Sequence, residues 1–479
     1  MVSRRQAIKY TAVTGGAILH PGGLGFALSA TSGDQEEEDN MFLKGHFAPV
    51  SEESTLFDLE VEGELPSEIS GAFLRNGPNP IFPADPYHIF DGDGMIHGLY
   101  IDGGRASYLN RWVQTEGLRI EKAAGKSIFG GLIAGRPIKN TSNTHFIQHH
   151  GKLLSLWEGK TGGPYEIDPA SLKTIGPYDF SGTLNHNVTA HPRKDPDTGE
   201  LILFGYTDQK PYLRYSVVSN DGIIRHHAPI DLPFPSMVHD FAITKNYTVF
   251  LILPFLMPED LSKSGYFPDR GAWIAVLPRY GEGKDIQWIP IDPCYVFHIV
   301  NAFEQDDGRI YLSACRFNKF DLKRPIDPAF LYEWRIDIEA KSAAGKRLMT
   351  FRPTDFPAIN PNYSGKRHRY AFLDILVLNM SLAMGKYDYE TGKFQAHYFG
   401  LNRRGGGATC FVPRSGAQDE DAGWLMNFVY DTRQNSHELW VIDAQDIKKK
   451  PVARVKIPVH VPFGFHSTWL DGQSLANQL

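Results

Sequence analysis

The sequence predicts an all-β protein whose strands radiate from an axis, a β-propeller, and three observations carry the prediction. From about residue 55 onward, short β-branched and aromatic runs are separated by Gly, Pro, Asn and Asp at the eight-to-twelve-residue spacing of turn-connected strands. Long amphipathic helical patterns are nearly absent. A loose repeat also recurs: "YEIDPASLKTI", "YDYETGKFQAHYF" and "LWVIDAQDIKKKPVARV" each read as strand, acidic turn, polar residue, strand, the pattern of a blade's outer hairpin.

Taken along the chain, "KLLSLWEG", "ELILFGYT", "YTVFLILPF", "AWIAVLPR", "RIYLSACRF", "WLMNFVYD" and "HELWVIDA" are the clearest strands. About 420 residues divided into units of about 40 to 60 give six to eight blades. A sandwich would need several copies to use this length, whereas one propeller uses it once.

The 479 residues carry 42% apolar and 22% charged side chains, an ordinary balance for a globular chain. A net charge of −6 with no basic cluster excludes a nucleic-acid partner, because neutralising phosphates needs a basic surface. No internal apolar run reaches the ~18 residues of a membrane span. Cys294, Cys315 and Cys410 are scattered and odd in number, which speaks against a disulfide framework or a zinc-thiolate site.

The amino terminus differs in kind. Residues 1–30 place Arg4 and Arg5 before a Gly/Ala-rich stretch that ends in small residues, the order of a twin-arginine export signal. The acidic run that follows makes 31–41 a solvated linker and leaves 42–479 as a single propeller domain. This predicts a periplasmic or exported protein, with a cytoplasmic or peripheral-membrane location as the alternative. Two stretches break the strand rhythm. Residues 121–139 have the pattern of a short helix with Ile128, Phe129, Leu132 and Ile133 on one face, and 253–267 form an apolar loop with charged flanks. Each reads either as a segment packed over one end of the propeller or as a membrane-dipping or substrate-access patch.

Of 18 histidines, context selects four: His191 in "NVTAHPRKD", His239 in "SMVHDFAIT", His298 in "CYVFHIVNAF" and His466 in "VPFGFHSTWL". Each stands at a strand edge among apolar or small residues. Their separations of 48, 59 and 168 residues allow successive blades to supply one ligand each. Radial strands converge on a central channel, so four inward imidazoles would meet on the axis. Such an all-nitrogen set suits a borderline metal such as iron(II) and leaves coordination positions open.

Read together, "GAFLRNGPNP", "YHIFDGDGMIHGLYI", "NTHFIQHHGKLLSLWEG", "TAHPRKDPDTGELILFGY", "HDFAIT", "FHIVNAFE" and "VPFGFHSTWL" occur in the order seen in the carotenoid cleavage oxygenases, which this chain resembles from about residue 42 to 470. The resemblance implies a seven-bladed propeller capped by loops and short helices. It implies one iron(II) per chain on His191, His239, His298 and His466, with dioxygen as co-substrate. It further implies three carboxylates that accept hydrogen bonds from these imidazoles and fix their tautomers. Glu158 keeps the first position; the second falls on Asp355, one methylene shorter than the usual Glu; the third falls on Ala408, which has no carboxylate. Thr144 falls where relatives place a small β-branched residue beside an open metal position.

The activity so implied is oxidative cleavage of a carbon–carbon double bond in a carotenoid or apocarotenoid, giving aldehyde or ketone products. Trp157, Phe255, Phe303 and Phe463 are the candidate walls of a polyene tunnel. Stilbene-cleaving relatives carry a lysine just before the first of the three carboxylates, where this chain has Trp157, which favours the polyene. The alternatives are a stilbene or phenylpropenoid alkene dioxygenase and, from another class, a propeller that binds a lipophilic polyene without cleaving it.

Overall fold

Four of the sheets among the described residues are four-stranded antiparallel meanders, and their burial explains why the sequence reads as it does. The computed structural model describes residues 40–476 except 133–136, 160–161, 259–262, 322–326 and 378–379. The predicted export signal and nearly all of the acidic linker lie outside the described residues. Residues Asn40–Leu479 form one compact unit.

A representative sheet runs Arg193–Lys194, Leu201–Tyr206, Leu213–Val218, Ile224–Ile230, each strand pairing only with its sequence neighbours. Its second strand, LILFGY, is buried at every position, whereas the fourth, IRHHAPI, alternates between buried and exposed. A middle strand covered on both faces must be continuously apolar, and an outermost strand need be apolar only every second residue. The same meander recurs in His145–His149 to Thr174–Pro177, Phe241–Ile243 to Gln287–Ile291 and Tyr295–Glu304 to Ser342–Arg347.

The acidic turns of the repeat have a shared cause. Asp168 Oδ1 accepts from the backbone N–H groups of Ala170 and Ser171, Asp388 Oδ1 from Glu390 and Thr391, and Asp443 Oδ1 from Gln445. An Asp at this position offers its carboxylate to amides two and three residues on and so closes the turn. All three stretches form the outer hairpin of their sheets.

The ends of the chain are paired with each other. Ser467–Asp471 lies antiparallel to Gly71–Pro78, with Gly71 opposite Asp471 and Arg75 opposite Ser467. Val61–Gly63 adds to the edge of Ala453–Ile457. Strands near the amino terminus therefore complete sheets begun or ended near the carboxyl terminus.

The interrupting segment 121–139 differs from expectation. Its helix is Glu116–Ala124, opened by Thr115, whose Oγ1 accepts from Leu118 N–H at 3.1 Å, and closed by Gly125 in the left-handed region at φ 66. Ile128 therefore lies beyond the helix and is 44% exposed, and Ile133 falls outside the described residues. The rest of the segment is held by charge. Buried Glu121 accepts from the Ile128 and Phe129 amides, and the Lys139 ammonium bridges Glu121 and Asp93.

The largest apolar cluster joins successive sheets; within it Phe250 packs on Phe204, Phe241 and Tyr215. Phe250→Ala is expected to cost about 3–5 kcal/mol, the transfer and cavity terms of a large core truncation. Equilibrium denaturation checks this; a loss below about 1 kcal/mol would show that the sheets do not depend on this packing.

Candidate metal centre

The strand at one edge of several sheets begins at a common point, and that point is where the four histidines meet. His191 and His239 lie just before Arg193–Lys194 and Phe241–Ile243, and His466 immediately precedes Ser467–Asp471. His298 sits inside Tyr295–Glu304 where the pairing register shifts between Val296 and Ile299, a bulge that re-aims a side chain. The Nε2 atoms stand 3.1 Å apart for His191 and His239, 3.3 Å for His239 and His298, and 3.2 Å for His298 and His466. All four ligand atoms lie within 4.8 Å of one another.

Hydrogen bonds behind the rings decide what these nitrogens present. Asp355 Oδ1 accepts from His298 Nδ1 at 2.8 Å, and the Glu158 carboxylate accepts from His239 Nδ1. With the proton on Nδ1, each Nε2 carries a lone pair facing the centre. Burial, reinforced by the neighbouring imidazoles, holds His191 and His466 well below the usual histidine range, so these two rings are neutral. Burial also pushes His239 down, but the Glu158 carboxylate outweighs it and the net direction is up. Imidazoles whose Nε2 atoms converge in this way are a ligand set, and a divalent cation is the group that fits them.

The carboxylates are themselves held. Tyr206 donates from its hydroxyl to Glu158 Oε1 at 2.6 Å, and Asn187 Nδ2 donates to the carbonyl of Gly159 at 2.8 Å. A Cβ on Gly159 would stand 2.0 Å from the Trp157 indole, so only glycine lets that ring fold back over the turn. Asp355 reaches His298 despite its shorter side chain. The backbone beside it is unusual: Phe356 has φ 50, and its ring lies 5.0 Å from His298 and 5.3 Å from His466.

At the third position the Ala408 amide donates to the Phe465 carbonyl at 2.8 Å, so this residue does lie against the segment that leads into His466. Its methyl offers no acceptor, and among the described residues no carboxylate contacts His466. Thr144 accepts at its carbonyl from His466 N–H at 3.2 Å, and its hydroxyl donates to Asn143 Oδ1 at 2.9 Å. Next to it lies a residue the sequence reading passed over, His145. Its ring is 4.9 Å from His466 and 5.4 Å from His191, its Nδ1 bonds the Ala190 carbonyl, and burial lowers its pKa to about 4. Its only signal in the sequence was adjacency to Thr144.

A cavity of about 740 Å³ opens onto His239, His298 and His466. Trp157, Phe463 and Thr144 line it, together with Phe90, Phe297, Phe317, Phe320, Phe356 and Phe465. Phe255 and Phe303 are not part of this wall. Phe255 is packed on Tyr295 and Phe320, and Phe303 is stacked on Tyr311, both in the core. Both interrupting segments contribute: Gly130, Leu132, Ile138 and Lys139 from one, Met257 from the other.

The profile of the retinal pigment epithelial membrane protein family, to which the carotenoid cleavage oxygenases belong, matches residues 47–471. The chain belongs to this family. It is 37% identical to carotenoid 9,10(9',10')-cleavage dioxygenase 1 of Arabidopsis thaliana over 91% of both chains. Isoeugenol monooxygenase of Pseudomonas putida is 32% identical over 89% of this chain and 97% of its own. Among solved structures, Pseudomonas brassicacearum lignostilbene dioxygenase superposes with a TM-score of 0.84 at 28% identity, covering 90% of this chain and 98% of the other. Cobalt-substituted Synechocystis apocarotenoid oxygenase gives 0.80 at 29%, covering 88% and 97%. The near-complete β content and the meander sheets match the β-propeller fold of this family.

Two predictions follow from the hydrogen bonds behind the rings and from the neutral imidazoles. Asp355→Ala should loosen metal binding about 10- to 100-fold and Ala408→Glu should tighten it by a similar factor, as read by competition with a chelator; unchanged affinity in both would show that carboxylates do not orient these rings. Buried His46, His88, His186, His368 and His437 are lowered from 6.5 to between about 2 and about 4, each chiefly by burial. The unfolded chain therefore takes up protons that the folded one refuses. Stability is complete above pH 6.5 and falls as pH drops toward 4, by about 1.4 kcal/mol per pH unit for each group. Urea denaturation across this range checks the sign.

Proposed function

We propose that this protein is a non-haem iron(II) dioxygenase that cleaves a carbon–carbon double bond of a carotenoid or apocarotenoid to two carbonyl products. The observation that carries the reading is the juxtaposition of four converging imidazole lone pairs with a largely aromatic cavity. His191, His239, His298 and His466 would hold iron(II), which supplies activation of dioxygen toward an electron-rich alkene. The chain's own residues do the rest. Glu158 and Asp355 keep two of the rings aimed, and Phe297, Phe356 and Phe465 keep water from the reacting bond. Thr144, at the cavity wall beside His466, helps keep one coordination position free of water.

The polyene is favoured over a phenolic alkene by what stands just before Glu158. Trp157 occupies the position of the phenol-binding lysine in stilbene-cleaving relatives, and Lys139 is engaged by Asp93 and Glu121. The hydroxystilbene reading remains the second one because the lignostilbene dioxygenase superposes so fully. In this reading seven meander sheets form the blades, and segments 121–139 and 253–267 cap the cavity and provide access, with peripheral membrane contact as their further role. The Arg4–Arg5 pair supports export by the twin-arginine route and a periplasmic location.

Incubation of iron-loaded protein with an apocarotenal and, separately, a hydroxystilbene should consume dioxygen and yield aldehydes from the polyene. Turnover of the stilbene alone would reject the substrate assignment. His298→Ala should lose bound iron and turnover together while still unfolding cooperatively; full activity in that variant would remove His298 from the ligand set.

A further inference from the structure

Four cationic side chains are buried among the described residues: Arg75, Lys139, Arg279 and Lys386. Three have a carboxylate: Lys139 has Asp93 and Glu121, Arg279 has Asp195, and Lys386 has Asp421. Arg75 has none. It is 1% exposed, its Nη1 donates to the Gly406 carbonyl, and its Nε and Nη2 have no partner. The guanidinium lies 5.2 Å over the Phe428 ring. Gly406, Gly407 and Gly464 wall it; a Cβ on Gly464 would stand 2.4 Å from Nε.

The groups around Arg75 add donors and no acid. His97 is its cross-strand neighbour, bonded to Tyr108. Nearby, His437 Nε2 and His460 Nδ1 share a hydrogen bond of 3.0 Å, while His437 Nδ1 and His46 Nε2 are buried without partners. Whichever tautomer forms the shared bond, one of the two outer nitrogens of that pair carries a proton. Burial, and behind it the field of Arg75, lowers the pKa of His46, His97, His437 and His460, and burial, partly offset by the Tyr108 phenol, leaves Arg75 itself at about 9, still protonated at neutral pH. A buried guanidinium with two unpartnered N–H groups and no counter-charge is costly unless an anion meets it.

We propose that the unpartnered N–H groups of Arg75 anchor a buried site for a small monovalent anion, a halide or a one-carbon carboxylate. The site bears on ring closure. Arg75 belongs to the strand that pairs with Ser467–Asp471, and its bond to Gly406 and its contact with Phe428 reach the adjoining sheet. The anion therefore joins the closing sheet to its neighbour.

The test uses full-length, iron-loaded protein at constant ionic strength, with sodium gluconate exchanged for chloride, bromide or formate. A saturable rise in melting temperature of about 3 °C is expected with at least one of the small anions. A response to formate alone identifies a carboxylate site and a response to halides identifies a charge site. Crystals grown in bromide should show an anomalous peak beside Arg75, and Arg75→Gln should abolish the anion response. The proposal is overturned if the melting temperature is indifferent to all three anions and no bromide peak appears, as a water-filled site would give, or if Arg75→Gln retains the response. Should that variant fail to fold, the wild-type titration and the bromide map decide.

Discussion

Four imidazole nitrogens with neighbours 3.1 to 3.3 Å apart repel unless a cation sits among them, and they stay aimed only if each ring is held from behind. That requirement explains why a large all-β scaffold carries so small a site. A ligand from each of several sheets arrives at the end of an edge strand, and strand direction fixes where its Cβ points more firmly than a loop would. The same geometry places Thr144 and His145, Asp355 and Ala408 at the equivalent point of the other sheets, around the same centre. What each contributes then depends on one side chain. Asp355 supplies an acceptor, Thr144 supplies bulk without charge, and Ala408 supplies neither.

Most of the fold was legible because its causes are local. The burial of middle strands on both faces writes itself as apolar runs such as LILFGY, and the Asp-closed turns of the outer hairpins write themselves as a repeat. The ligand histidines were selected by their strand-edge context, although their joint assignment came from resemblance. What stayed hidden is what depends on contacts far apart in the chain. Phe255 and Phe303 look as suitable for a tunnel wall as Phe297 or Phe356, and only packing separates them. Tyr206, which steadies Glu158 across 48 residues, has no local mark at all. The helix at Glu116–Ala124 was placed too late because Gly125, its left-handed stop, lies inside the stretch whose apolar spacing read as helical.

The aromatic wall and the metal centre are two consequences of one set of residues. Phe356, held at positive φ beside Asp355, presses its ring against His298 and His466, so the strained bulge that delivers the carboxylate also delivers the apolar surface. Trp157 precedes Glu158 in the same way, with Gly159 leaving room for its ring. In both cases an acceptor behind the ligand and an aromatic face in front of it come from adjacent residues.

His466 is where these arguments meet, and where no carboxylate stands behind the ring among the described residues. Its ring lacks the carboxylate that steadies two of its companions, so its orientation rests on backbone: the Thr144 carbonyl takes its amide proton, its own carbonyl takes that of Asn76, and Ala408 N–H holds the preceding carbonyl. Asn76 and Arg75 are adjacent, so the strand that fixes His466 also carries the buried guanidinium on its opposite face. A site that has given up one side-chain support depends more heavily on the rigidity of the sheet around it, and an ionic lock between that sheet and its neighbour supplies rigidity without touching the reacting bond. Ala408 and Arg75, at first unrelated departures from the usual pairing of charge with charge, thus bear on the same ligand.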